Sequence, residues 1–283
     1  MEERTGRKEN LRKEQGRSAE PTRLNKLLSE AGVCSRREAD RWIEAGRVTV
    51  DGHRAEKGML VQNGQQVCVD GKTVRKEEEV VLLAVHKPAG VVCTTEKKWG
   101  DPTLEEMVHY PKRVFSMGRL DKDSEGLILM TNQGDLLNKV MKAGNYHEKE
   151  YVVTVDKEVT PEFIRRMSEG VFLKELNTKT RPCRVEKAGE KRFRIVLTQG
   201  LNRQIRRMCA QFGYRVVRLV RVRIMNIELG DLPSGEYRHL TKREFSALQA
   251  GLKNSRNDPG RKDPDAPAKS GKKARSSKKR KTE

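Results

Sequence analysis

The stretch Gly118-Arg119-Leu120-Asp121-Lys122-Asp123-Ser124-Glu125-Gly126-Leu127-Ile128-Leu129-Met130 sets a cluster of ionisable side chains between two apolar runs. Val114 and Phe115 lead in and Leu127 to Met130 lead out, and both runs read as buried strand. A polar loop held at the edge of a rigid scaffold is where binding and catalytic groups concentrate. The plainer reading is a charged hairpin tip that only keeps the fold soluble. An aspartate such as Asp121 acts as nucleophile or general base only while ionised, and an arginine within ~4–6 Å favours that state. A second charged stretch, Leu201-Asn202-Arg203-Gln204-Ile205-Arg206-Arg207-Met208-Cys209, reads as a helix with basic first turns. Positive charge there opposes the helix dipole and calls for a nearby carboxylate or phosphate. Arg203 and Arg207 fit an exposed basic face. Arg206, one residue after Ile205 and two before Met208, should be partly tucked in.

Other chemistries find little support. The cysteines, Cys34, Cys68, Cys93, Cys183 and Cys209, are odd in number, scattered and never in a C-x-x-C pair. That fits reduced thiols in a cytoplasmic setting and argues against a disulfide framework or zinc. The histidines show no metal-binding spacing, and there is no G-x-G-x-x-G or Walker loop, so no metal and no cofactor are expected. The net charge of +20 points to a polyanionic partner, most often nucleic acid. A membrane surface is the rival, but no apolar run of ~18 residues supports it. The N-terminus, Met1-Glu2-Glu3-Arg4, has no apolar region behind it and does not read as a signal peptide.

These residues need elements to position them. Residues 1–20 are charged and without apolar periodicity, and read as a disordered arm. Thr22 can cap a helix with Leu24, Leu27, Leu28 and Ala31 at helical spacing, stopped by Gly32. Ser35 with Glu38 forms a capping box opening a second helix, with Ala39, Trp42 and Ile43 on one face and Gly46 at its end. Val48 and Val50 lead into Asp51-Gly52, and Val67 and Val69 into Asp70-Gly71, two hairpin signals. Residues 21–75 thus form a small helix–helix–sheet module, and the polar stretch 72–79 reads as a linker. Val80 to Val85 is a buried strand broken at Pro88 and Gly90, and Val91 to Cys93 resume it. Helices are expected over 104–108, 135–141 and 160–169, the last with Thr160 as cap and Pro161 at its first position. Strands are expected from Tyr151, over Arg194 to Leu197, and from Val216 to Ile224, with the folded part ending near Leu248. The segment 251–283 carries a net charge of +8 with almost nothing apolar, and reads as a disordered basic tail.

The order Arg23-Leu24-Asn25-Lys26-x-Leu28-Ser29-x-x-Gly32-x-x-Ser35-Arg36-Arg37-x-Ala39-Asp40 resembles the RNA-binding module named after a ribosomal small-subunit protein, the S-four-like domain. Gly118-Arg119-Leu120-Asp121 with Ser124-x-Gly126-Leu127 resembles the catalytic signature of RNA pseudouridine synthases. Lys87-Pro88-x-Gly90, Lys149-x-Tyr151 and Gln204-Ile205-Arg206-Arg207-Met208 resemble further motifs of that family. Within it the chain is similar to the ribosomal small-subunit synthase A family, and most to its large-subunit synthase F branch, through Ala143-Gly144-Asn145-x-His147-Glu148-Lys149-Glu150-Tyr151 and Gln199-Gly200-Leu201-Asn202-Arg203.

The resemblance implies an α+β architecture: the small RNA-binding domain over 21–75, then a catalytic domain over 80–250 with a mostly antiparallel mixed sheet, flanking helices and a cleft across its middle. It implies Asp121 as catalytic carboxylate, Tyr151 as active-site tyrosine, Arg206 as the arginine paired with Asp121, and Leu219 lining the uracil pocket. RNA contacts are implied at Arg23, Lys26, Arg36, Arg37 and Arg41, and around the cleft at Arg119, Lys122, Asn202, Arg203 and Gln204. Arg119 shares a face with Asp121 by strand alternation, suited to fill the gap left by a flipped base or to hold a flanking phosphate. The implied reaction isomerises a uridine in a large-subunit rRNA stem–loop. Whether the carboxylate attacks the sixth ring carbon, attacks the anomeric carbon or abstracts a ribose proton stays open, as does a second, tRNA substrate. A non-catalytic RNA-binding assembly factor and a structural ribosomal component are the competing classes. A monomer is expected, since no spare apolar stripe offers a self-interface.

Overall fold

A computed structural model of the protein describes residues 21–75, 79–94, 100–141, 143–253 and 255. The arm expected over 1–20 and the tail from 256 onward lie outside the described residues. The first unit packs helices α1 (Leu24–Glu30) and α2 (Arg36–Glu44) on strands β1 (Val48–Val50), β2 (His53–Arg54), β3 (Val67–Val69) and β4 (Lys72–Thr73). The strands run antiparallel in the order β2-β1-β3-β4. Leu24, Leu28, Ala39, Ile43, Val48, Val50, Val67 and Val69 form its core. The capping box is present: the Glu38 N–H donates to Ser35 Oγ at 3.2 Å, and the Ser35 N–H donates to the Glu38 carboxylate at 3.4 Å. Asp51 and Gly52 both take positive φ, +50° and +81°, the backbone a two-residue hairpin turn requires.

Two local expectations are corrected here. Thr22 does not cap α1: Thr22 and Arg23 form a short strand paired with Val61 and Leu60, which holds Thr22 extended one position too early. The first helical amide is satisfied instead by the Met59 carbonyl, at 2.9 Å from the Leu24 nitrogen. Lys72 and Thr73, assigned to the linker by their polarity, are strand β4; an exposed edge strand pairs through its backbone, which polar composition does not reveal.

The second unit is a sheet built on β5 (Leu82–Lys87), β6 (Phe115–Met117), β7 (Glu125–Thr131), β8 (Lys149–Val155), β9 (Arg184–Gly189), β10 (Arg192–Leu197), β11 (Val216–Ile224), β12 (Ile227–Glu228) and β13 (Tyr237–His239). The order is β9-β10-β8-β11-β7-β5-β13, with β6 on β7 and β12 on β11. Among its strands as described, β7 and β11 make the single parallel pairing, so the sheet is mixed and mostly antiparallel, as expected. Leu127, Ile128, Leu129 and Met130 are all fully buried, because apolar clusters cover both faces of β7. One face carries α5 (Pro161–Ser168) and α6 (Gln204–Ala210), whose Phe163, Met167 and Met208 pack with Tyr151, Val153, Phe193 and Leu219. The other elements are α3 (Leu104–Val108), α4 (Gly134–Met141) and α7 (Lys242–Gly251). Val91 to Cys93 do not resume a strand; only Val92 bridges, to Thr103, because Gly90 (φ +90°) turns the chain towards the loop at Lys122.

The domain also closes later than Leu248. Leu248 and Leu252 are both core residues, and Ser255 Oγ lies 2.7 Å from His147 Nε2. Arg238 forks onto Glu244, Nη2 to Oε1 at 2.8 Å and Nη1 to Oε2 at 2.9 Å, and Glu244 also completes the capping box of α7 with Thr241. The Arg238 hydrogen bonds, and then the bonds from Thr241, hold the Glu244 carboxyl down at about 2. A lowered folded-state value stabilises above the unfolded value and is lost as pH falls through the folded one. The stability gap between wild type and Glu244→Gln should therefore be full above about pH 4.5 and close as pH falls towards 2, read from denaturation midpoints.

Candidate active site

The loop Gly118–Ser124 joins β6 to β7, and its shape is set from beneath. Lys87, at the end of β5, is fully buried, and its Nζ donates to the carbonyls of Ser124 (2.7 Å), Pro88 (2.8 Å) and Lys122 (3.4 Å). Gly90 adds an N–H to the Lys122 carbonyl at 2.7 Å. Burial pushes the Lys87 ammonium below its ordinary value. On the far side of the loop, Gly126 takes φ +105°, and a Cβ placed there would lie 2.3 Å from the Arg221 carbonyl oxygen. Only glycine lets β7 approach β11 at this point.

Above this base opens a cavity of about 550 Å³, lined among others by Asp121, Arg119, Tyr151, Lys149, Leu219, Arg203, Arg206 and Arg221. Asp121, Tyr151 and Leu219, scattered in sequence, thus meet at one cleft. Asp121 is about one-third exposed and lies 3.7 Å from Arg203 Nη1, an ion pair longer than a hydrogen bond. Tyr151 and Leu219 are buried in the core beneath.

Arg206 does not pair with Asp121. Its Nη2 donates to the Asp123 carbonyl oxygen at 2.9 Å and lies 3.2 Å from the Asp123 carboxylate, while Nη1 donates to the Val216 carbonyl at 3.3 Å. The reason lies at the helix start: α6 begins at Gln204, and Arg203 sits ahead of it in the left-handed conformation (φ +50°), so that both arginines reach Asp123 but Arg203, not Arg206, comes within 3.7 Å of Asp121. Arg203 grips Asp123 with both terminal nitrogens, at 3.0 and 3.2 Å. Burial works against the charge of Asp123, but the Arg203 hydrogen bond and the two arginine charges outweigh it and hold its carboxyl below the ordinary value. Asp123 is thus the carboxylate that the basic helix start called for.

The other expected RNA-contact residues divide. Arg119 reaches both this cavity and a second one of about 510 Å³ between the two units, where Arg36 and Arg37 also stand. Arg23 and Arg41 are exposed. Lys26 is engaged with Asp135 of the second unit, Nζ to Oδ1 at 2.8 Å. Lys122 pairs with Asp101 at 2.6 Å. Asn202 accepts from Arg207 through its backbone and side-chain oxygens. Gln204 is buried, its side-chain oxygen accepting the Leu201 N–H at 3.1 Å.

Two cavity residues had no role in the sequence reading, although Lys149 stood in the Lys149-x-Tyr151 motif. Lys149 is 6% exposed, and its Nζ donates to the His147 carbonyl at 3.1 Å; burial, then the Arg221 charge, push it down to about 8. Arg221 is 1% exposed, with Nε donating to the Leu127 carbonyl at 2.6 Å and Nη2 buried without a partner. The available signal was alternation: Lys149 lies two residues from Tyr151, and Arg221 two from Leu219.

The family model for RNA pseudouridylate synthase matches residues 81–211, and that for the S4 domain matches residues 22–67. The dual-specificity RNA pseudouridine synthase RluF of Escherichia coli (strain K12) is 54% identical over 235 residues, covering 82% of this chain and 80% of its own. The ribosomal large subunit pseudouridine synthase B of Bacillus subtilis (strain 168) is 33% identical over 234 residues, covering 81% of this chain and 96% of its own. A solved structure described as a crystal structure of pseudouridylate synthase superposes with a TM-score of 0.60 at 28% identity, over 80% of this chain and 99% of that one. These relatives carry dual-specificity and large-subunit names, so the resemblance holds for the synthase F branch and not for the small-subunit label. On fold, motif order and identity together, the chain belongs to the RNA pseudouridylate synthase family.

Proposed function

We propose that this enzyme isomerises a specific uridine in a stem–loop of large-subunit rRNA to pseudouridine, with Asp121 as the catalytic carboxylate. The observation that carries the reading is the placement of Asp121 at a cavity floored by Tyr151 and Leu219, with Arg203 its nearest cation. A base lifted from its stack finds an aromatic face in Tyr151 and an apolar wall in Leu219. Asp121 stays partly open to solvent, where its carboxyl group can reach an incoming nucleoside. Arg119 stands between this cavity and the one bearing Arg36 and Arg37, a path along which a phosphate backbone would run from one unit to the other. Arg206 serves as a positioning residue, fixing the turn through the Asp123 carbonyl and Ser124 Oγ. A tRNA stem–loop is a second substrate class, favoured by the dual-specificity name of the RluF relatives. The described cysteines are all free, in keeping with a cytoplasmic enzyme.

The two arginines should separate in stability. Arg203 is 42% exposed, and its surface ion pairs are worth up to about 1 kcal/mol. Arg206 is only 15% exposed and ties the Asp123 and Val216 carbonyls to Ser124 Oγ, so removing it should cost about 2 kcal/mol. Urea denaturation of Arg203→Ala and Arg206→Ala is expected to show the larger midpoint loss in the second, while both lose turnover.

The function is tested by mapping pseudouridine in rRNA and tRNA from cells with and without the gene, by chemical marking and primer extension. Loss of an rRNA site, restored by wild type and not by Asp121→Asn, is the expected result. No lost site would favour a non-catalytic assembly factor, and a site restored by Asp121→Asn would remove Asp121 from the chemistry.

A further inference from the structure

Strands β8 and β11 pair antiparallel, but the register slips by one residue between Glu150 and Tyr151. Glu150 stands opposite Arg223, yet Tyr151 stands opposite Arg221, so Val222 is the extra residue of a bulge. A one-residue slip moves side chains to the other face of a sheet. Without the bulge Tyr151 would face Val222, and Arg221 would point away from the cleft. With it, Lys149, Tyr151, Leu219 and Arg221 share the face that lines the cavity.

Two buried cations therefore stand side by side at the foot of the candidate active site. Neither forms an ion pair among the described residues. Lys149 has one carbonyl acceptor, and Arg221 uses Nε on Leu127 while its Nη2 has nothing. Buried charges are ordinarily paired, because an unpaired one is costly. Both groups flank Tyr151, the face on which the proposed function stacks the target base. The missing negative charge is one the substrate develops. When the bond between N1 of uracil and the ribose breaks, its electron pair stays with the ring and spreads onto the ring oxygens. The new bond then forms from C5 to the ribose; C5 loses a proton, N1 gains one, and the product is an isomer of the substrate. Each of the three courses open to Asp121 includes this detached ring.

Resting on that reading of the function, we propose that Lys149 and Arg221 donate hydrogen bonds to a ring carbonyl oxygen of the target uracil and stabilise the negative charge it acquires while detached. The pair acts as a preformed anion hole, at its strongest when the glycosidic bond is broken. The depressed ammonium of Lys149 fits a site whose counter-charge arrives only with the reaction.

The test uses the full chain and a synthetic stem–loop carrying the uridine mapped above, with that uridine unmodified, 2-thio or 4-thio. Sulfur accepts hydrogen bonds poorly, so it weakens the proposed contact from the substrate side. Lys149→Met is the first variant, since removing a buried cation beside Arg221 relieves repulsion and should not lower the denaturation midpoint. Its single-turnover rate is expected to fall roughly a hundredfold, the usual effect of losing one such donor, with RNA affinity within about threefold of wild type. Arg221→Met, which also loses the Leu127 contact, should fall at least as far. The decisive reading is the combination. One thio-substituted RNA should slow the wild type markedly yet slow Lys149→Met little further. Additive losses for both thio RNAs, or a wild-type rate in Lys149→Met, would overturn the inference alone. No product from wild type on the mapped stem–loop would overturn the function on which it rests.

Discussion

Asp121→Asn is expected to lower the single-turnover rate of pseudouridine formation by at least ~10⁴-fold, while leaving RNA affinity unchanged or slightly tighter. The amide matches the carboxylate in shape but neither attacks carbon nor takes a proton at neutral pH. The fold has little stake in the group: Asp121 is about one-third exposed, and its nearest cation stands at 3.7 Å. Denaturation midpoints of the two proteins should therefore coincide. Affinity should not fall, because removing a negative charge from a cleft that receives a polyanion relieves repulsion. The sign of that small change is informative. If the variant bound RNA tenfold more weakly, Asp121 would be a recognition group whose loss of rate followed from poor binding. A variant turning over at more than one per cent of wild type would place the chemistry elsewhere.

Gly126→Ala carries the largest expected effect on structure. The new methyl would meet the backbone of Arg221 at 2.3 Å from its oxygen, 2.6 Å from its nitrogen and 2.9 Å from its carbon, and φ +105° is unfavourable for any L side chain. None of those contacts is the loose end of a side chain, so relief requires β7 and β11 to part. Overpacking and backbone strain together cost about 3 kcal/mol or more, a large share of the roughly 5–15 kcal/mol that holds a domain folded. Urea denaturation should show a much lower midpoint, and turnover should fall even where the variant remains folded, because Asp121 lies only five positions back, in the loop that leads into β7. Gly118→Ala provides the contrast. There the added methyl meets the side chain of Met141, which can swing aside, so the loss should be smaller.

Much of the framework was legible because it is local. The Ser35–Glu38 capping box, the Asp51-Gly52 and Asp70-Gly71 turns and the apolar run Leu127 to Met130 each state their backbone within a few residues. Polarity misled at Lys72 and Thr73, because an edge strand needs only backbone pairing. In the site, Asp121, Tyr151 and Leu219 were found through motifs, and the cavity gathers all three. The partner of Asp121 was misread because it depends on one torsion: Arg203 in the left-handed region starts the helix later than its apolar spacing indicates. Lys149 and Arg221 were in reach of strand alternation from Tyr151 and Leu219, but the slip at Val222, which sets the two strands' faces against each other, was not. A bulge is a relation between two strands 70 residues apart and leaves no mark in either one.

The single parallel pairing of the sheet has a consequence for synthesis. Glu125 and Gly126 pair with Val220 and Arg221, and the bond from Arg221 to Leu127 spans 94 residues. At about 5–20 residues per second, a ribosome needs roughly 5–20 s to supply the second strand after the first has emerged. During that interval β7 can pair with β5 along one edge and with β6 at Leu129 to Thr131 of the other, but Glu125 and Gly126, at the start of that second edge and next to the apolar run Leu127 to Met130, have no partner there. The Gly118–Ser124 loop is anchored at the same place. The nascent enzyme is therefore most prone to aggregate beside its proposed active site, and a chaperone that shields Leu127 to Met130 for those seconds should raise the yield of active protein more than one that acts after release.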